Sequence, residues 1–164
     1  MRRIKIVTII YSCFVIALAI SLINPTLNYL FFYRTIERLR LVVPQLTFKL
    51  EGNTLNLSGV VCIENNERYE GIAIKTIYVN FYLVNKTGET IPITGKTFWY
   101  SPPNEIKPYS NITETFELFI QVGQRVISIL KTEKPTWMIT GNMWINTFIG
   151  EIQIFLEPFY YKSN

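Results

Sequence analysis

The chain has 164 residues and a formal net charge of +4, with 49% apolar and only 17% charged residues. That length suits one ordinary domain with an accessory segment, and the apolar share argues against a disordered tail. There is no His and no Asp, so all twelve acids are Glu; a Ser-His-Asp triad, a Cys-His pair, a His-ligated zinc site and a Walker-B Asp are thereby excluded, and two Cys cannot build a four-thiolate metal site.

The charge is unevenly placed. Residues 1–43 carry Arg2, Arg3, Lys5, Arg34, Arg38 and Arg40 against Glu37, a balance of +5, whereas residues 44–164 balance at −1. A nucleic-acid partner needs basic residues on a folded face. Here they flank an apolar run, which points to a membrane and to no nucleic acid.

Ile6–Ile23 carries no charge, and its polar residues Thr8, Tyr11, Ser12 and Ser21 are small or amphipathic. Eighteen helical residues span about 27 Å, close to the hydrocarbon core of a bilayer. Two readings stay open. One is a retained transmembrane anchor over residues 1–24. The other is a signal peptide cleaved after Ala19, which follows Ala17 and Leu18. Continuation of the apolar run through Ile20, Leu22 and Ile23 favours the anchor.

Asn24-Pro25 suits an N-cap followed by a first helical position, so a second helix is expected over Thr26–Arg40. Residues 25–44 thus form a membrane-proximal helix or stalk. Tyr29, Phe31, Phe32 and Tyr33 are placed at the outer interface, with Arg34, Arg38 and Arg40 reaching headgroups or water. Lipid contact is expected through residues 4–33. Three basic residues on each side leave the orientation nearly tied.

After Pro44 the period becomes two. Leu46–Leu50, Leu55–Ile63, Ile77–Leu83, Ile112–Ile120, Trp137–Asn146 and Glu151–Leu156 alternate and are rich in β-branched and aromatic residues. Turn signals stand at Glu51-Gly52-Asn53, Asn65-Asn66, Lys86–Glu89, Ser101-Pro102-Pro103-Asn104 and Lys107-Pro108. Residues 45–164 are therefore predicted to be an all-β antiparallel sandwich of six to eight strands. Gly123–Thr132 breaks the rhythm: Val126, Ile129 and Leu130 have helical spacing, so one short helix should cover an end of the sandwich. Cys13 and Cys62 fall in different segments and should not meet.

This order of elements resembles the group-two late embryogenesis abundant (LEA) family, also called the water stress and hypersensitive response domain. The matching stretches are Leu50–Asn66, Gly71–Ile91, the pair Gly95-Lys96, the turn Ile106-x-Pro108-x-Ser110, and Trp137–Pro158. Glu64-Asn65-Asn66 stands where the family often has Asn-Pro-Asn. The resemblance implies an immunoglobulin-like sandwich of about seven strands with one short helix, often behind an N-terminal span. It supplies no catalytic residues; stress protection, partner binding and lipid handling are the roles it suggests.

Candidate sites are few. Asn56, Asn85 and Asn111 begin Asn-x-Ser/Thr sequons. Asn85 and Asn111 lie beside turns and suit a glycan; Asn56, within a strand, is the doubtful one. Glu64, Glu67 and Glu70 read as a solvated loop. Glu114 and Glu117 point to opposite faces of one strand, so no glycosidase pair is expected. Phe98-Trp99-Tyr100 cannot all face inward, so at least one ring should reach the surface as a contact patch for lipid, glycan or another subunit. No catalytic, metal or cofactor-binding residue is nominated. The expected function is a membrane-tethered, non-enzymatic, extracytoplasmic binding or structural module, with a stress-protective role. The alternatives are a lipid-handling module and a subunit of a cell-surface assembly.

Overall fold

The N-terminal apolar run folds as one helix, α1 (Arg2–Arg38), that continues through Pro25. The computed structural model describes residues 2–132 and 135–162, with side chains from Tyr11 onward. The basic flank Arg2, Arg3 and Lys5 and the start of the expected span at Ile6 lie outside the described side chains.

The helix break expected at Asn24-Pro25 is thus corrected. Proline removes one donor from a helix and crowds the carbonyl four residues back. Next to it, Thr26 Oγ1 donates to the Leu22 carbonyl at 2.7 Å and Ser21 Oγ donates to the Leu18 carbonyl at 2.8 Å. The helix runs on to Phe32 and Thr35, which are buried, and packing of this kind offsets a single lost helical bond.

Seven strands follow: β1 (Arg40–Glu51), β2 (Thr54–Asn65), β3 (Ala73–Val84), β4 (Thr90–Glu105), β5 (Ser110–Gln121), β6 (Thr136–Thr147) and β7 (Gly150–Lys162). The helix α2 (Gln124–Thr132) joins β5 to β6. One sheet has the order β1-β2-β5 and the other β4-β3-β6-β7; all pairings are antiparallel. The expected all-β sandwich with one short helix is therefore the observed architecture.

Alternation builds the core. Ile77, Val79, Phe81 and Leu83 of β3 point inward with no exposure, facing Leu55, Leu57, Val61 and Ile63 of β2 across the interior. Full burial of each such side chain contributes about 1.5–3 kcal/mol. Val126 and Ile129 of α2 join the same core, while Leu130 packs at its margin.

Two boundaries move. Strand β1 begins at Arg40, so residues 40–43 belong to the sandwich and not to the stalk; Leu41 and Val43 are core residues. Pro44 falls in the register shift between Val42 and Gln45, on an edge strand where a missing N–H is tolerated. Strand β4 had no clear alternation in the sequence because much of it is half-buried. Its expected turn at Ser101–Asn104 is instead an irregularity within the strand: Ile74 pairs with Asn104 and Thr76 with Trp99, leaving Tyr100–Pro103 opposite Lys75 alone.

Candidate functional site

Two surfaces carry the chemistry that can matter. The first lies where α1 enters the domain. Phe32, Thr35 and Leu39 are buried, so the last turns of α1 belong to the sandwich. The Thr35 hydroxyl is satisfied by the Phe31 carbonyl at 2.8 Å. The loop between β2 and β3 grips the helix: Arg34 Nε and Arg38 Nη1 both reach Glu67 Oε1, at 3.2 and 2.6 Å. Arg68 lies 3.6 Å over the Phe31 ring, and Tyr69 packs edge-on to Phe32 at 5.5 Å. Burial raises the Tyr69 phenol above its usual range, against a smaller opposing effect of its hydrogen bond with Asn28.

This loop is anchored from below. Asn65, buried, donates from Nδ2 to the Lys107 carbonyl at 3.1 Å and accepts the Glu67 N–H at 3.0 Å. The residue at the departure from the Asn-Pro-Asn pattern thus fastens the β2–β3 loop to the β4–β5 loop. Two expectations are corrected here. Phe32 is core rather than interfacial, because the helix continues into the domain instead of skirting it. Glu67 is no solvated loop acid, because two arginines of α1 converge on it.

The second surface is the outer face of the four-stranded sheet. Register places Trp99, Thr76, Trp144 and Gln153 in one row across β4, β3, β6 and β7. The next row is Thr97, Tyr78, Asn142 and Phe155, and further along stand Pro92, Tyr82, Met138 and Tyr160. Trp99 is 75% and Phe155 77% exposed, with Tyr78, Trp144 and Tyr160 also at the surface. Thr76 keeps only 5% exposure on this outward face, between two tryptophans. Gln153 Nε2 donates to Asn142 Oδ1 at 3.4 Å. Gly95 makes room for Tyr78, since a Cβ there would stand 2.7 Å from the Tyr78 hydroxyl. These rows contain rings, amides, hydroxyls and Met138, and charge stands at their margin in β7, where Glu151 pairs with Lys75 at 2.8 Å and Glu157 is exposed.

The expected contact patch divides accordingly. Trp99 is the exposed ring. Phe98 turns inward and is buried, by the ordinary alternation of a strand. Tyr100 leans to the sandwich rim, where its hydroxyl donates to Glu114 Oε1 at 2.9 Å. Burial, then the hydrogen bond to Glu114 and its charge, hold the Tyr100 phenol well above its usual range. Phe98 and Tyr100 are therefore removed from the patch; Tyr78, Trp144 and Phe155 join Trp99 through register, which no local motif marks.

The three sequons sit in different settings. Asn111 is exposed at the start of the edge strand β5. Asn85 organises the β3–β4 turn: its Oδ1 accepts from Thr87 N, Thr87 Oγ1 and Glu89 N at 3.0, 2.7 and 2.9 Å. Asn56 lies in β2, the middle strand of its sheet, with Nδ2 donating to Glu117 Oε1 at 3.0 Å. Glu114 and Glu117 thus serve separate partners. Cys13 and Cys62 are free thiols. Burial pushes the Cys62 thiol up, only partly offset by its hydrogen bond with Thr113, which disfavours the reactive thiolate. Among the described residues no three or more Cys or Glu side chains gather as a metal site.

A cleft of about 480 Å³ lies outside the three-stranded sheet, lined by Gln45, Thr47, Ser58, Gly59, Val60, Thr115, Phe116 and Glu117. It is largely polar and open to solvent. The segment Tyr11–Arg38 of α1 is long and apolar enough to cross a membrane, and a signal sequence meets the same test.

No family model matches the chain, and no curated protein matches it. Solved structures are similar to it over most of its length. A Northeast Structural Genomics Consortium target is 12% identical with a TM-score of 0.47, over 77% of this chain and 88% of the other. An Arabidopsis thaliana protein solved in solution is 14% identical with a TM-score of 0.45, over 74% and 79%. A candidate late embryogenesis abundant (LEA) protein, also solved in solution, is 14% identical with a TM-score of 0.41, over 90% and 84%.

Proposed function

We propose that this chain is a membrane-tethered, non-enzymatic module that holds the outer face of its four-stranded sheet toward a binding partner outside the cytoplasm. The observation that carries the proposal is the set of exposed rings Trp99, Tyr78, Trp144, Phe155 and Tyr160 on that face, interleaved with amides and hydroxyls. Exposed aromatic patches of this kind are characteristic of contact surfaces, because a ring offers much area at little entropic cost. The absence of His and Asp from the sequence supports the non-enzymatic reading.

Retention of α1 is part of the proposal. Cleavage after Ala19 would leave Ile20, Leu22, Ile23, Leu27 and Leu30 exposed on a half-helix still docked to the domain. Those side chains are better accommodated by lipid. A protective role under water stress rests on the sequence resemblance to the LEA family. The lipid-handling alternative gains nothing from the cleft beside Gln45 and Phe116, which is polar and lies outside the core.

The test is photo-crosslinking in the native membrane from a diazirine residue at position 155, with adducts identified by mass spectrometry as protein, glycan or lipid. The proposal expects one dominant adduct class that disappears in Trp99→Ser. Equal adduct yields from position 155 and from a distal control at position 88 would remove the binding role of this face.

A further inference from the structure

The connection between β6 and β7 is a two-residue turn, since Thr147 pairs with Gly150 and leaves Phe148 and Ile149 at the tip. Turns of this size ordinarily carry Gly, Asn or Asp. Here the tip consists of two large apolar side chains, 53% and 50% exposed. The turn itself does not require them. The left-handed demand falls on Gly150, with φ of 116°. The Thr147 hydroxyl donates to the Gly150 carbonyl at 2.8 Å and accepts the Ile149 N–H at 3.3 Å.

The position of this tip is informative. Phe148 stands edge-on to Phe32 at 5.1 Å and to Tyr29 at 5.9 Å, so it lies against α1 at the level of Tyr29. Tyr29 is six residues past Ile23, about 9 Å along the axis. On the N-terminal side of that level, the described side chains of α1 from Tyr11 to Asn28 are all exposed and largely apolar. At that level, Tyr29 and Tyr33 pack together at 4.9 Å. Beyond it come Arg34 and Arg38. Apolar, then aromatic, then cationic is the order met on leaving a bilayer leaflet.

We infer that the Phe148-Ile149 tip is a second membrane contact, seated in the interfacial layer of the leaflet from which α1 emerges. This rests on the reading of α1 as a retained membrane span. The partner is the glycerol and upper acyl region of the bilayer, which accepts apolar side chains that water does not. With α1 packed rigidly into the domain and a hairpin tip touching the same surface, the sandwich has two points of attachment. Its tilt is then set, and with it the direction in which the Trp99–Phe155 face looks.

The test uses the full chain with Cys13→Ser and Cys62→Ala, carrying a single nitrobenzoxadiazole-labelled cysteine and reconstituted into phosphatidylcholine vesicles that contain spin-labelled lipid. Three label sites are compared: Ile149→Cys, Leu22→Cys in the span, and Phe155→Cys on the sheet face. The expected result is quenching at position 149, strongest with the shallow spin label, several-fold above that at position 155. Quenching at position 22 with none above the position 155 level at 149 overturns the second contact and leaves the span standing. No quenching at position 22 overturns the span and the second contact together.

Discussion

At Gly59 the backbone of β2 passes so close to the bulge in β1 that a Cβ would stand 2.4 Å from the Gln45 carbonyl oxygen. That neighbour is main chain and cannot swing aside. Gly59→Ala is expected to cost about 1–3 kcal/mol, read as a lower urea midpoint; an unchanged midpoint would mean the bulge yields freely. Gly95→Ala should cost less, because its nearest neighbour is the far end of the Tyr78 side chain. Tyr100 supplies a pH prediction. Its phenol is held well above the usual tyrosine range, chiefly by burial and then by Glu114. A raised folded-state value means stability that is intact below pH 10 and is lost as pH rises further, since the unfolded chain ionises first. Tyr100→Phe is expected to flatten that alkaline loss in denaturation curves taken between about pH 9 and 12. A loss of the same slope in the variant would assign it to other groups.

At the scale of elements, the distinctive unit is the end of α1. Phe32 contributes to the sandwich core from a helix whose side chains from Tyr11 to Leu30 are exposed, and Glu67 fixes Arg34 and Arg38 beside it. Phe32→Ala is expected to destabilise the domain by about 3–5 kcal/mol, as for large buried rings elsewhere. A loss under about 1 kcal/mol in urea unfolding would show that the helix end is a passive stalk. Glu67→Gln should cost much less, about 0.5–1 kcal/mol, because both arginines are about half exposed. The expectation of a break at Pro25 failed for a definite reason. Asn-Pro marks a helix start when nothing holds the helix together across it, whereas here the helix runs on through Pro25 to Phe32 and Thr35, which are buried against the sandwich. Strand β4 escaped notice because a half-buried edge strand containing Pro92, Pro102 and Pro103 does not alternate cleanly.

At the scale of the whole molecule, the proposed function separates holding from binding. Trp99→Ser is expected to change stability by no more than about 0.5 kcal/mol, because that ring is largely exposed, while removing the partner cross-linked from position 155. A cooperative loss of fold in that variant would make the face structural. Retention of the anchor has an equally direct check: the intact mass of the mature protein should include the residues before Ile20. A mass beginning at Ile20 would overturn the tether.

The materials of the fold are legible along the chain. Period-two alternation named six of the seven strands, helical spacing named α2, and the absence of His and Asp removed the usual catalytic and metal constellations. These are local properties, because the direction of a side chain from a strand or helix follows from its own backbone. Three consecutive rings at Phe98–Tyr100 even forced one of them outward, and Trp99 is that ring. Tertiary structure decided what those materials meet. Trp99, Trp144 and Phe155 lie far apart in the chain and become one surface only through strand register. Glu67 meets Arg34 and Arg38 across some thirty residues, and Phe148 meets Tyr29 across more than a hundred. Such contacts depend on which strands become neighbours and where the helix enters the core. Alternation along a single strand carries no information about either.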